Sequence, residues 1–147
     1  AGEETFWDRS TLYALRGVLQ AGETGKAMTF LRYYSRRRLL GEHVPYPVEA
    51  YPEGNQRHLS AESSLYCRIF AEGLFGMRPV GFNSFTCSPR LPKGWPRMAM
   101  RNIHSFGTVF DLKISRLNAK KLTIIVTKAG GTKTYTIRDG DTVKINL

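Results

Sequence analysis

Apolar residues recur at the three-to-four-residue spacing of helices as far as Leu74, and beyond Pro79 the apolar runs shorten and are broken by turn residues. A chain with this change of period must join a helical part to an antiparallel β part, so the fold class it predicts is α+β. The division is placed between a helical segment, residues 1–82, and a C-terminal antiparallel β region, residues 83–147.

From Trp7 to Gln20, Leu12, Leu15, Val18 and Leu19 form one helical stripe, with Ser10 or Thr5 available as N-cap. After Ala21–Gly22 the pattern resumes at Ala27, Phe30, Leu31 and Tyr34, and Arg36, Arg37 and Arg38 occupy the last turn, where cations complement the helix dipole. The short connection predicts an αα-hairpin. A third helix is expected from Ser60, with Glu62 in its first turn, Leu65, Ile69, Phe70 and Leu74 on one side, and a stop at Gly73–Gly76. The expected strands are Phe85–Ser88, Ala99–Ser105, Val109–Ser115, Leu122–Thr127, Thr134–Arg138 and Thr142–Leu147, with hairpin turns at Ala129–Gly131 and Asp139–Asp141. Gly130–Gly131–Thr132–Lys133 lacks the strand–loop–helix setting of a phosphate loop and reads as a turn.

The 147 residues allow one domain or two small ones, which argues against a large enclosed active site built by this chain alone. With 41% hydrophobic residues a core can form, and no apolar run is long enough for a membrane span. The net charge of +10 raises the question of a polyanion partner. Residues 83–147 hold twelve Lys and Arg against three Asp and Glu, scattered singly among strands. That distribution suits solvated strand faces better than a nucleic-acid surface. Cys67 and Cys87 form no CxxC or Cys/His cluster and are expected as buried free thiols, with a single bridge between them as the alternative. No metal and no cofactor is called for.

The proline-rich stretch from Gly41 to Leu59 carries the residues with chemical interest: His43, Tyr46, Glu49, Tyr51 and His58. Loops of this length inside small domains are often functional. Tyr46 and Tyr51 offer flat faces for sugar rings, and Glu49 between them can activate a water as general base. The plainer reading makes Glu49 a solvated residue capping a backbone amide. His43 is a further candidate sugar contact. His58 with Ser60 suits an anion at a helix start, or simply an ordinary beginning of a helix. Glu53 beside Gly54 reads as a turn tip, Glu72 as an i,i+4 partner of Arg68, and Trp7 and Trp95 as packing residues; His104 has no partner in sequence.

The eleven-residue interval from Glu49 to the Ser60–Ala61 helix start resembles the catalytic-base loop of glucoamylases. The following runs, Gly73-Leu74-Phe75-Gly76-Met77-Arg78-Pro79 and Pro89-Arg90-Leu91-Pro92-Lys93-Gly94-Trp95, are similar to the barrel end of disaccharide phosphorylases. Together they cover residues 6–147 in order. The resemblance implies the last hairpins of a six-hairpin (α/α)6-barrel glycosidase followed by an antiparallel β-sheet or sandwich. It also implies Glu49 as base, Tyr46, Tyr51, His43 and His58 as substrate contacts, and an oligo- or polysaccharide substrate. Ala50 stands where glucoamylases have Gln, and their Trp after Ser-Ala is absent. In the phosphorylases phosphate takes the place of water. Inversion needs an acid roughly 6.5–9.5 Å from the base. In this family the acid belongs to an earlier hairpin, which would precede Ala1. Three helices cannot close a ring of twelve, so the expectation is a part of a longer enzyme, inactive alone, whose uncovered helix faces meet the rest of the barrel or self-associate. The reading from another class is a non-catalytic glycan-binding or interaction module. Polyanion binding through the basic strands is a third.

Overall fold

The computed structural model describes residues 6–40, 47, 50–51 and 60–147, and divides into two units, Ala1–Leu74 and Phe75–Leu147. In the first, Leu12, Leu15 and Leu19 are buried along α1 (Asp8–Gln20), as their spacing requires. A turn at Ala21–Gly22, where Gly22 takes φ +90°, leads into α2 (Thr24–Leu39). Its buried stripe is Ala27, Leu31, Tyr34 and Arg38. One expectation is corrected here: Phe30 stays 63% exposed, because the stripe runs through the other three apolar residues. Arg38 lies in the last turn as expected, and is 2% exposed because it meets an acid inside. Ser10 is not a cap: α1 already begins at Asp8, after Trp7, with no side-chain cap bond. Thr5 lies outside the described residues.

The third helix, α3 (Ser60–Arg68), widens into a π-helical turn over Ile69–Leu74. The buried positions Leu65, Ile69 and Leu74 step by four and then by five, and a five-residue step keeps Leu74 on the buried side only if the helix widens. Gly73 permits the close approach to α1, since a Cβ there would stand 2.8 Å from Leu19 Cδ1. Two short strands, β1 (Phe6–Trp7) and β2 (Ala50–Tyr51), pair antiparallel in the registers Phe6↔Tyr51 and Trp7↔Ala50.

The second unit contains two antiparallel sheets, so the chain is a mixed α+β protein. One is a meander of β5 (Arg97–Ser105), β6 (Thr108–Asn118), β7 (Lys121–Lys128) and β8 (Gly131–Arg138), in that order. Its inward residues alternate as a half-buried sheet demands: Phe110, Leu112 and Ile114 on β6, Leu122, Ile124 and Val126 on β7. Ile114 faces Ile124 and Leu112 faces Val126 across the ladder. The second sheet has the order β3 (Met77–Gly81), β4 (Ser84–Cys87), β9 (Val143–Asn146). Phe85 of β4 stacks on Phe110 of the first sheet at 5.6 Å between ring centres, and on Phe106 at 5.4 Å, joining the two layers in one core.

The β region departs from expectation in two places. No strand is expected before Phe85, yet Met77–Gly81 form β3, an edge strand where the missing N–H of Pro79 is tolerated. Asp139–Gly140–Asp141 is not a hairpin turn: β9 leaves β8 and pairs with β4, through Phe85↔Ile145 and Cys87↔Val143. Cys87 is buried and free as expected, its thiol donating to the Phe75 carbonyl oxygen at 3.3 Å; Cys67 is free but exposed on α3, off the buried stripe. The lysines at 113, 120, 121, 133 and 144 are exposed. No helix among the described residues is long and apolar enough to cross a membrane.

Candidate functional site

Four consecutive residues, Phe6 to Arg9, meet the chain before, within and after the proline-rich stretch, at Arg38, Ala50–Tyr51 and Glu62. The backbones of Phe6 and Trp7 pair with Tyr51 and Ala50, immediately after Glu49. Asp8, in the first turn of α1, accepts from Arg38 Nε at 3.0 Å, and both side chains are closed to water. Arg9 donates through Nε to Glu62 Oε1 at 2.7 Å, with the Glu62 side chain fully buried in the first turn of α3. Both acids thus stand near helix N-termini and Arg38 near a C-terminus, so each charge also complements a helix dipole.

Aromatic hydroxyls complete this interior. Burial, together with the neighbouring Asp8 carboxylate, holds the Tyr34 phenol well above its ordinary value. Tyr66 packs at 6.1 Å from the Tyr34 ring and shares a 2.8 Å hydrogen bond with Ser35 Oγ. Farther along α1, Arg16 reaches Glu72 Oε2 at 3.1 Å while Arg68 takes the same carboxylate from one helical turn away, which gives Glu72 the i,i+4 pairing its spacing predicts. Asp8 and Glu62 each have an oxygen engaged by an arginine and neither is open to solvent. Neither is therefore placed to act on a sugar.

Glu49, Tyr46, His43 and His58 lie outside the described residues, as does Glu53. Of Tyr51 the backbone is described, in β2, and of the loop prolines Pro47 is, and is buried. The buried pair Asp8–Arg38 and the half-exposed Arg9 on the buried Glu62 are not legible in the sequence. An acid in a first turn and an arginine in a last turn are what exposed helix ends carry, and only the alternation of Arg38 with Tyr34, Leu31 and Ala27 on one stripe hinted otherwise. Trp7 and Trp95 are partly exposed, at 42% and 39%. Among the described residues no group of three or more His, Cys, Asp and Glu side chains converges as a metal site would. Comparison with family models, curated proteins and solved structures finds no match to this chain.

Proposed function

We propose that this chain forms part of an inverting glycoside hydrolase of the (α/α)6 type, with Glu49 as the general base that takes a proton from the attacking water. In this reading α1, α2 and α3 belong to the last hairpins of the barrel, and the second unit is its C-terminal β region. Tyr46 and Tyr51 stack on the sugar, His43 and His58 supply polar contacts, and the general acid comes from another part of the enzyme. The single observation that carries the reading beyond the motif order is the pairing of Ala50 and Tyr51 with Trp7 and Phe6, which anchors the backbone next to Glu49. A base in an inverting enzyme must keep a fixed separation from its acid to leave room for one water, so its loop needs such an anchor. Tyr13, Phe30 and Tyr33 stand exposed on α1 and α2, and are the apolar surface that neighbouring helices of the barrel would cover.

The test is Glu49→Gln in the full-length protein, assayed for glycoside hydrolysis. The expected result is a loss of turnover of about 100-fold or more at unchanged melting temperature. Wild-type turnover in the variant would remove the base assignment. Glycan binding by the wild type without hydrolysis would replace this reading by the non-catalytic glycan-binding module.

A further inference from the structure

We propose that the outward face of the β5–β8 sheet binds an acidic polysaccharide whose rings carry carboxylates, a polyuronate. The face lies wholly in the second unit, so the proposal does not depend on the assignment of Glu49. Strand residues alternate between two faces, and the core takes Met98, Ile114 and Ile124 as one row. On the opposite face the registers gather cations that are scattered in sequence. Arg97 shares a row with Thr123 and Thr136, Lys113 lies in the next row beside Ile125 and Thr134, and Lys121 pairs with Arg138 on the other side of the Arg97 row. All four cations are exposed. With strands about 4.8 Å apart and same-face neighbours about 7 Å apart along each strand, they fall within roughly 16 Å of one another. Among the described residues none of the four takes part in an ion pair. The acid at these outward positions is Asp111, and its Oδ1 already accepts the Asn102 amide at 2.8 Å.

Charge alone admits several polyanions, and the neutral residues of the face decide among them. No aromatic residue occupies an outward position of these four strands, so there is no platform for the bases of a single-stranded nucleic acid and no anchor of the kind that dominates protein interfaces. A double helix is read by a helix or a two-stranded ribbon that fits its major groove, and four paired strands are too broad. A lipid surface needs an apolar wedge, whereas Ile125 is half-buried between Lys113 and Thr134. What remains is a set of arginine forks that match planar carboxylates, lysine ammoniums, and threonine hydroxyls that both donate and accept. A polyuronate presents the complement, with a carboxylate on each ring and hydroxyls around it. Its charges are spaced widely enough to be met by separated cations.

The experiment titrates the full chain with polygalacturonate at low salt and compares the wild type with two charge-matched variants. Lys113→Gln/Lys121→Gln removes two cations from the face, and Lys93→Gln/Lys144→Gln removes two from exposed positions outside these four strands. The first is expected to bind about tenfold more weakly and with a flatter salt dependence, the second within about twofold of the wild type. Methyl-esterified polygalacturonate, the same backbone without its charges, is expected not to bind. Thr134→Arg adds a cation at an exposed position of the same face and is expected to tighten binding about threefold, a gain that a folding defect cannot imitate. No binding by the wild type, equal weakening in both double variants, equal binding of the methyl ester, or no gain in Thr134→Arg each overturns the proposal. Heparin or single-stranded DNA bound as tightly as polygalacturonate at the same salt overturns the choice of a polyuronate and leaves a face that takes any polyanion.

Discussion

Asp8 and Arg38 stand thirty positions apart and meet inside the helical unit, the Arg38 Nε 3.0 Å from Asp8 Oδ1 with neither side chain open to water. The contact ties the start of α1 to the end of α2, and Tyr34 lies one turn before Arg38 on the same buried stripe, its phenol held above its ordinary value by burial and by the Asp8 carboxylate. Few positions in the unit carry so much desolvated charge.

Breaking this pair from one side is expected to be severe. Asp8→Asn or Arg38→Met alone leaves an uncompensated buried group and should cost about 3–5 kcal/mol in urea unfolding of the helical unit, whereas Asp8→Leu/Arg38→Met should recover most of that loss. Single variants within about 1 kcal/mol of the wild type would show that water reaches the pair.

The second unit has its own fixed point. Gly76 takes φ +63°, and a Cβ there would lie 2.1 Å from the Ser88 carbonyl oxygen, where the chain enters β3 and Gly76 O accepts from Ser88 N at 3.1 Å. Gly76→Ala must strain the backbone and displace another backbone segment, and should cost about 3 kcal/mol or more. Gly94→Ala is the control: φ is +86° with nothing within 4 Å, so only the left-handed share of about 1–2 kcal/mol applies. Equal losses by denaturant unfolding would mean that the steric contact at Gly76 relaxes.

These positions also mark what periodicity reveals and what it hides. The stripes Leu12–Leu15–Leu19 and Ala27–Leu31–Tyr34, and the strands bearing Leu112–Ile114 and Leu122–Ile124–Val126, are legible because one period and one buried face specify them. Arg38 is hidden because its acid is thirty positions away and no local rule connects them. The same holds for β9, which follows β8 by a turn-like sequence yet pairs with β4 more than fifty residues earlier. The π-helical turn leaves only a five-residue step, Ile69 to Leu74, easily read as ordinary helix. In the proline-rich stretch, Glu49 stands out by its tyrosine and proline neighbours, but the ladder that the next two residues, Ala50 and Tyr51, form with Trp7 and Phe6 is too short for any strand pattern.

The exposed aromatics of α2 predict association. Phe30 and Tyr33 are 63% and 59% exposed, enough apolar surface to favour contact with a second copy when this chain is produced alone. Phe30→Lys together with Tyr33→Glu should shift sedimentation toward the monomer by about tenfold in dissociation constant while leaving helicity unchanged. Identical sedimentation of the variant and the parent would place any association elsewhere.

The two thiols should differ in their reactivity toward an alkylating agent. Burial pushes Cys87 up to about 12 from an ordinary 9.0, while Cys67 is exposed on α3. In the folded chain the Cys87 proton is retained to higher pH than in the unfolded chain, so its stabilising contribution is intact below pH 9 and is lost as pH rises from 9 toward 12. Within that window the wild type should lose up to about 1.4 kcal/mol per pH unit relative to Cys87→Ala, and the comparison cancels the parallel contribution of Tyr34, which both chains share. Native alkylation at pH 9 should modify Cys67 promptly and Cys87 only in denaturant, because the thiolate is the nucleophile and Cys87 is both protonated and covered. A flat difference between wild type and Cys87→Ala from pH 9 to 12 would show that the thiol titrates in the folded unit as it does in the unfolded chain, with water admitted between β4 and the Phe75 carbonyl.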